Sequence, residues 1–305
     1  MHEKSPHPGT GNRQDAAQPE LPGSRLTRRQ FLKRGVALAA GAGLLTGAYA
    51  SLWEPQQLDT VYRTLVCPRL PSAFHNLKVV HFSDAHLGFH TRKKHIEHLI
   101  AAIRREAPEL ICFTGDIIDS TAEAMNEYIP LLASIDAPLG KFAVLGNHDF
   151  WGGSGKDVSH KLQVAGFRVL QNSSQLLNRG GQSIAVVGLD DWLHGFPDPQ
   201  KGRSGIPDDM FTLLLMHEPD YAGNAALFPF DLQLSGHSHG GQVRLPLFGA
   251  LMTPPGSKRY VMGMYEVEER RMPLYVNRGI GETHLPVRLL CKPELTVFTL
   301  QSGAR

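Results

Sequence analysis

The 305-residue chain has only three cysteines, Cys67, Cys112 and Cys291. An odd number so widely spread builds no disulfide framework, and no C-x-x-C pair offers a thiolate zinc site. Cys112 sits in the apolar run Leu110-Ile111-Cys112-Phe113 and reads as buried, while Cys67 and Cys291 could pair without the pattern demanding it. Charge of one sign is also lacking. The balance of 31 Lys and Arg against 29 Asp and Glu leaves +2, too near neutral to expect nucleic-acid-specific binding. Much of the surplus lies in the first 34 residues, with Arg13, Arg25, Arg28, Arg29, Lys33 and Arg34. No repeat or low-complexity segment is evident after residue 60. With 42% hydrophobic and 20% charged residues, the chain has an ordinary globular composition and can bury a core.

What is present begins with an address. Residues 1–24, rich in Pro, Gly, Gln and charge, are expected to be disordered. Then Thr27-Arg28-Arg29-Gln30-Phe31-Leu32-Lys33 precedes a Gly- and Ala-rich apolar run from Gly35 to about Ala50. This resembles a bacterial twin-arginine export signal, and Ala48-Tyr49-Ala50 fits a small-x-small cleavage site before Ser51. Residues 25–53 therefore form either a removable signal or a retained anchor. The run is close to the roughly 20 residues that span a bilayer, but its small residues make it a weak span and favour the signal. Either reading puts the body in the periplasm or on the outer face of the cytoplasmic membrane. The twin-arginine export machinery is then a partner, and membrane association fits the anchor.

The body, residues 58–305, is expected to be one catalytic domain. Leu58–Pro71 reads as a first strand and turn, and Leu77–Ser83 as a short strand ending in Asp84-Ala85-His86. Arg92–Glu106 has helical spacing, with Ile96, Leu99, Ile100 and Ile103 on one face. Leu110–Thr114 ends in Gly115-Asp116-Ile117-Ile118-Asp119, a helix is expected over Ala122–Ser134, and Phe142–Leu145 ends in Gly146-Asn147-His148-Asp149. Strand and helix in alternation argue parallel βαβ units. Further on, strands are expected at 183–189, 211–216, 230–235, 260–267, 274–276 and 295–300. Two of them run into His217 and into Gly236-His237-Ser238-His239-Gly240-Gly241-Gln242. Each polar cluster thus follows an apolar strand, the edge at which open α/β sheets bind ligands.

In order, Asp84-x-His86, Gly115-Asp116-x-x-Asp119, Gly146-Asn147-His148-Asp149, His217 and Gly236-His237-x-His239 resemble the five blocks of the calcineurin-like metallophosphoesterases, over about residues 77–245. Single blocks are weak; five in order, each after a strand, are specific. Independently of that likeness, imidazole and carboxylate without thiolate suit Zn, Mn or Fe better than Ca or Mg. So many ligands also exceed one site, and two ions about 3.5–4 Å apart need a bridging carboxylate.

The resemblance implies an α/β fold, a four-layer α/β/β/α sandwich of two mixed β-sheets flanked by helices. It implies two divalent or trivalent transition-metal ions. Asp84, His86 and His239 would hold one, Asn147, His217 and His237 the other, and Asp116 would bridge them. The activity implied is hydrolysis of phosphate esters by attack of a metal-bridging hydroxide. His148 would stabilise the transition state or protonate the leaving oxygen, Asp149 would orient His148, and Asp119 would accept from a ligand histidine.

Other polar residues carry weaker cases. Asp190-Asp191 follows a strand and fits a turn or cap as well as a site. His90, His95 and His98, beside Arg92, Lys93 and Lys94, read as a solvated face, and His284 lies in a Gly-rich loop within reach of the site. The long Gly236–Gln242 loop and the stretch with Asn277-Arg278-Gly279-x-Gly281, Leu285-Pro286-x-Arg288 and Pro293-Glu294-Leu295 look like the YkuE/YaeI-type bacterial branch. That likeness implies phosphodiesters as substrates, a lipid or cell-envelope component among them. A lipid-linked sugar-nucleotide diphosphatase or a phosphomonoesterase on the same site is the alternative, and a non-catalytic metal-binding envelope protein the alternative from another class. The apolar segment Leu245–Met252, just past the metal loop, is expected to pack in the core; the other reading is that it receives an acyl chain or touches a membrane.

Overall fold

A computed structural model describes residues 1–2, 27–267 and 271–303. Most of the expected disordered tail, 1–24, lies outside the described residues. Contacts divide the chain into two compact units, Met1–Leu45 and Thr46–Arg305, which are treated separately. In the first, helix α1 starts at Arg28 and runs to Ala48, continuing past the unit's end. Thr27 caps it: its hydroxyl accepts from the Gln30 amide at 3.2 Å, and the Gln30 side chain accepts from the Thr27 amide at 3.0 Å. None of its side chains is buried, and by length and composition it could cross a membrane. That is consistent with a signal or an anchor.

The strands of the second unit are β1 (Asp59–Cys67), β2 (Leu77–Phe82), β3 (Leu110–Thr114), β4 (Lys141–Val144), β5 (Phe167–Val169), β6 (Ser173–Arg179), β7 (Gln182–Gly188), β8 (Thr212–Leu215), β9 (Leu232–Ser235), β10 (Arg244–Leu245), β11 (Gly249–Ala250), β12 (Gly263–Val267), β13 (Met272–Val276) and β14 (Glu294–Ser302). They form two six-stranded mixed sheets, ordered β1-β14-β2-β3-β4-β5 and β12-β13-β9-β8-β7-β6, with β10 and β11 a separate hairpin. The central strands β2 to β5 run parallel, as do β7, β8, β9 and β13. The two-residue period of a strand sends alternate side chains to opposite faces, so strands buried on both faces read as unbroken apolar runs. Leu77, Val79, Leu110, Cys112, Phe142 and Val144 meet Ile184, Val186, Leu213, Leu215, Leu232 and Leu234 between the sheets. Their neighbours Val80, Phe82, Ile111, Phe113 and Ala143 face a helical layer on one side, while Ala185, Val187 and Leu214 face one on the other. The expected two mixed sheets with flanking helices are found.

Helix α2 (Lys93–Glu106) buries Ile96, Leu99, Ile100 and Ile103, the expected face, and stops at Ala107, whose φ is 45°. The helix expected over Ala122–Ser134 is broken. A 3₁₀ turn, Ala122–Met125, is followed only by α3 (Ile129–Ala133). Pro130 fits the first turn of α3, but it has no N–H and its ring clashes with the preceding turn, so one continuous helix is excluded. Helix α4 (Gly155–Val164) and strands β5 and β6 were not anticipated. Cys291 is committed elsewhere than to Cys67, since its Sγ donates to the His239 carbonyl at 3.2 Å. The segment Leu245–Met252 is not in the core: it forms the β10–β11 hairpin, with Leu247 fully exposed and Phe248, Leu251 and Met252 largely so. A two-residue strand has no second apolar layer to cover it here, so the run stays at the surface.

Candidate metal centre

The loops after β2, β3, β4, β8 and β9 converge, and each brings its polar block to one place. All ten singled-out residues except Asp119 are buried. Three groups have ligand atoms within 4.8 Å of one another: Asp84, His86 and His239; Asp116, His217 and His237; and His86, Asp116 and His148. Asp116 Oδ2 is 3.7 Å from His86 Nε2 and 3.2 Å from His217 Nε2, one nitrogen in each of the first two groups. Its other oxygen accepts from the His148 amide at 2.8 Å.

The backbone has been bent to achieve this. Asp84, His86, Asp116, His237 and His239 all have φ between 45° and 68°, a region costing non-glycine residues of order 1–3 kcal/mol each. Glycines clear the space between loops. A Cβ on Gly146 would collide with Asp116 Oδ1 and sit 2.6 Å from His217 Nε2, and one on Gly236 would collide with Asp84 Oδ2. Asp149 anchors the frame. Its carboxylate accepts from the amides of Asp116, Ile117 and Gly146 at 2.9 Å and Ile118 at 3.2 Å, so it holds the β3 and β4 loops together. The expectation that it orients the His148 ring is corrected: all of its hydrogen-bond partners are main-chain amides. His148 Nδ1 instead donates to the Asp119 carbonyl at 2.8 Å. Burial and the Asp116 charge push Asp149 up to about 7 against those donors.

The histidine tautomers provide a test of whether cations fit. His86 Nδ1 faces Asp119 Oδ1 and His239 Nδ1 faces the Gly281 carbonyl, both at 3.3 Å. Each outer nitrogen is thereby a donor, leaving the inner Nε2 atoms as acceptors that face each other at 3.0 Å. Likewise His217 Nδ1 donates to the Thr114 carbonyl and His237 Nε2 to the Pro255 carbonyl, both at 2.6 Å, and their inner nitrogens face at 3.2 Å. Two lone pairs at such distances repel unless a proton or cation stands between them. The pKa directions agree. Against burial, the Asp119 hydrogen bond and Asp116 charge raise His86, and the Asp116 charge and hydrogen bond hold His217 well above its usual value. Their partners go the other way: burial and the His86 charge lower His239, and burial and the His217 charge lower His237 to about 4. In each facing pair one imidazole is thus pushed towards the charged form and the other towards the neutral one. Asn147 Oδ1 is buried without a partner, an oxygen acceptor left over in the same loop cluster. The residues present fit two cations bound by imidazole and carboxylate.

Several contributors carry no motif. The Gly281 carbonyl belongs to the Gly-rich loop, which reaches the site through its main chain while His284 stays exposed. Buried Arg288 ties that loop down, donating to the carbonyls of Arg278, Gly279, Gly281 and Cys291; its signal was the Leu285-Pro286-x-Arg288 pattern. Trp151 lies over the His148 ring, centroids 3.8 Å apart at 31°. Asp190 and Asp191 serve turns, accepting from the amides of Asp191, Phe196 and His194. His90 and His98 are exposed, and His95 Nδ1 accepts from the Arg92 amide.

Comparison with known proteins follows the same blocks. The sequence profile described as Metallophos, calcineurin-like phosphoesterase, matches residues 77–241. The metallophosphoesterase YkuE of Bacillus subtilis (strain 168) is 44% identical over 286 residues, covering 91% of this chain and 99% of that one. Phosphodiesterase YaeI of Escherichia coli (strain K12) is 29% identical over 280 residues, covering 90% and 99%. UDP-2,3-diacylglucosamine pyrophosphatase LpxG of Chlamydia muridarum (strain MoPn / Nigg) is 26% identical over 324 residues, covering 88% and 97%.

Proposed function

Because the chain belongs to the calcineurin-like phosphoesterase family and is a metal-dependent phosphoric ester hydrolase, we propose that it is an exported phosphodiesterase working with two transition-metal ions. The observation that carries the two-ion reading is the double set of facing histidine nitrogens, with Asp116 Oδ2 between them. Asp84, His86 and His239 form one shell, Asn147, His217 and His237 the other, and Asp116 serves both. When bound, such a pair of ions neutralises phosphoryl charge and lowers the pKa of water near neutrality. The protein's own part is positional. Carbonyl and carboxylate partners fix each ligand tautomer, so the inner nitrogens need no reorganisation to bind.

His148 also falls within ligand distance of His86 and Asp116, but its role in this reading is proton transfer. With Nδ1 donating to the Asp119 carbonyl and Trp151 against its face, the ring presents Nε2 as the working atom. When the ring is protonated it would donate to the leaving oxygen from that atom and revert to the neutral form that burial favours. Residues 58–305 act as the catalytic domain, and the twin-arginine reading of Arg28-Arg29 places it outside the cytoplasm. Diesters are favoured because YaeI, similar along nearly its whole length, is a phosphodiesterase. The pyrophosphatase LpxG supports the second reading, a lipid-linked diphosphatase. The test is turnover by metal-loaded protein on an aryl phosphodiester, an aryl phosphomonoester and a sugar-nucleotide diphosphate. The diester should be cut fastest; faster cleavage of either rival would replace this reading by that rival.

A further inference from the structure

The β10–β11 hairpin is an apolar surface with nothing of the described chain over its tip. Leu247, Phe248, Leu251 and Met252 are 104%, 82%, 58% and 79% exposed, in the order named. It is not a loose flap. Arg244 donates to the Gly240 carbonyl at 2.8 Å, and Ala250 lies so close to Gly241 that a Cβ there would collide with it, so the hairpin rests on the metal loop. Its neighbours continue the surface. The Arg244 amide donates to the Leu289 carbonyl at 2.9 Å, in a segment with exposed Leu285 and Leu290. The next amide back, that of Arg288, donates to the Ala50 carbonyl at 2.9 Å, just before exposed Leu52 and Trp53. Three segments joined by backbone hydrogen bonds thus each carry exposed apolar side chains.

Two observations say what covers this surface. Leu52 and Trp53 belong to the stretch Arg28–Gln56, which by length and composition alone could cross a membrane. The exposed charge within the segments of this surface is also of one sign, although α2 continues to an exposed Glu97. Over 46–57, 88–95, 242–252 and 282–292 the acidic residues, Glu54 and Glu282, are buried, whereas Arg92, Lys93, Lys94 and Lys292 are exposed. Lys94 Nζ reaches Gln56 Oε1 at 2.8 Å, which ties this basic cluster to the same face. Apolar side chains framed by cations match the interface of an anionic bilayer.

We propose that the β10–β11 hairpin and the segments bonded to it dock on the surface of an anionic lipid bilayer, with Leu247 and Phe248 inserted below the headgroups. This goes beyond the hydrolytic reading and does not depend on it. The test uses the full chain with Phe248→Cys, labelled with an environment-sensitive thiol dye; the three native cysteines are buried and do not compete. The labelled chain is reconstituted in phosphatidylcholine vesicles with and without phosphatidylglycerol. Insertion to about 5–10 Å predicts a blue shift and loss of roughly half or more of the emission to bilayer-embedded doxyl lipids, stronger with phosphatidylglycerol. A label at Leu176→Cys, on edge strand β6, should show neither. Lys93→Glu with Lys292→Glu should abolish the phosphatidylglycerol dependence. Water-like emission at position 248 in both vesicle types overturns the proposal. So does a shift that needs no lipid and grows with protein concentration, which would mean that a second copy covers the face. Charge-reversed protein with unchanged lipid dependence overturns the anionic part. No readout is enzymatic, so failure here leaves the phosphodiesterase reading standing, and the reverse.

Discussion

At the scale of single residues, the proposed roles separate holding from reacting. Asp116 has one oxygen on the His148 amide and the other between His86 and His217. Burial opposes its charge, yet the His217 charge and hydrogen bond hold its pKa well below the usual carboxylate range. Asp116→Asn removes the one anion shared by both groups, so it should lose bound metal along with turnover. His148→Ala leaves both groups intact. It should keep its metal, read by elemental analysis, while kcat falls by about 10²–10⁴, the usual worth of a positioned proton donor. Equal metal content and undiminished turnover in both variants would sink the assignment. The candidate ligand residues are legible in the sequence because each block pairs a glycine or a strand end with His, Asp or Asn. The partners that fix their tautomers were not. The carbonyls of Thr114, Pro255 and Gly281 are main-chain atoms, and every residue has one.

Among the elements, β2 and β3 carry a buried polar pair inside an apolar sheet. His81 is fully buried, its Nε2 is 2.9 Å from the Thr114 hydroxyl, and its Nδ1 has no partner. Burial pushes its pKa down to about 3. The unfolded chain takes up this proton near pH 6.5 and the folded one only near 3. The resulting stability is therefore complete above 6.5 and is lost as pH falls towards 3. The loss is at most about 1.4 kcal/mol per pH unit. Urea unfolding between pH 6 and 4 should show a shallower pH slope in His81→Leu by up to one proton, whatever the variant's absolute stability. Equal slopes would mean that His81 is protonated in the folded state. Strands β2, β3 and β4 were readable because burial on both faces makes them continuous apolar runs. The helix expected over 122–134 was not, since its apolar spacing hid what Pro130 forbids. Strand β6 was missed because it is an edge strand, half-exposed along most of its length, and its sequence SSQLLNR has no clear alternation.

For the whole molecule, the candidate metal groups bring together strand-end loops of both sheets, those after β2, β3 and β4 from one and those after β8 and β9 from the other. Ligand-bearing loops from residue 84 to residue 239 meet there, and the 278–281 loop is locked on by Arg288. Any ion that binds only the folded chain stabilises it, by about 2.7 kcal/mol at a hundredfold excess over Kd. For a body of this size that is on the order of 5–10 °C in Tm. Removing metal with a chelator should lower Tm by about that much per ion, and returning Mn, Zn or Fe should restore it. A Tm indifferent to chelation would argue that these loops are held together without ions.

Read along the chain alone, the order of the polar blocks and the apolar strands that precede them is already legible, as is an apolar stretch before the body. These depend on local apolar runs, local glycine placement and side-chain chemistry, all of which are written along the chain. Only the tertiary structure decided that Asp149 serves four amides and not His148, that Leu245–Met252 lies bare and not in the core, and that histidines meet nitrogen to nitrogen in pairs. Each of these is a relation between loops far apart in sequence. Periodicity places a residue on a face of its own element, but it contains no term for what another loop brings opposite it.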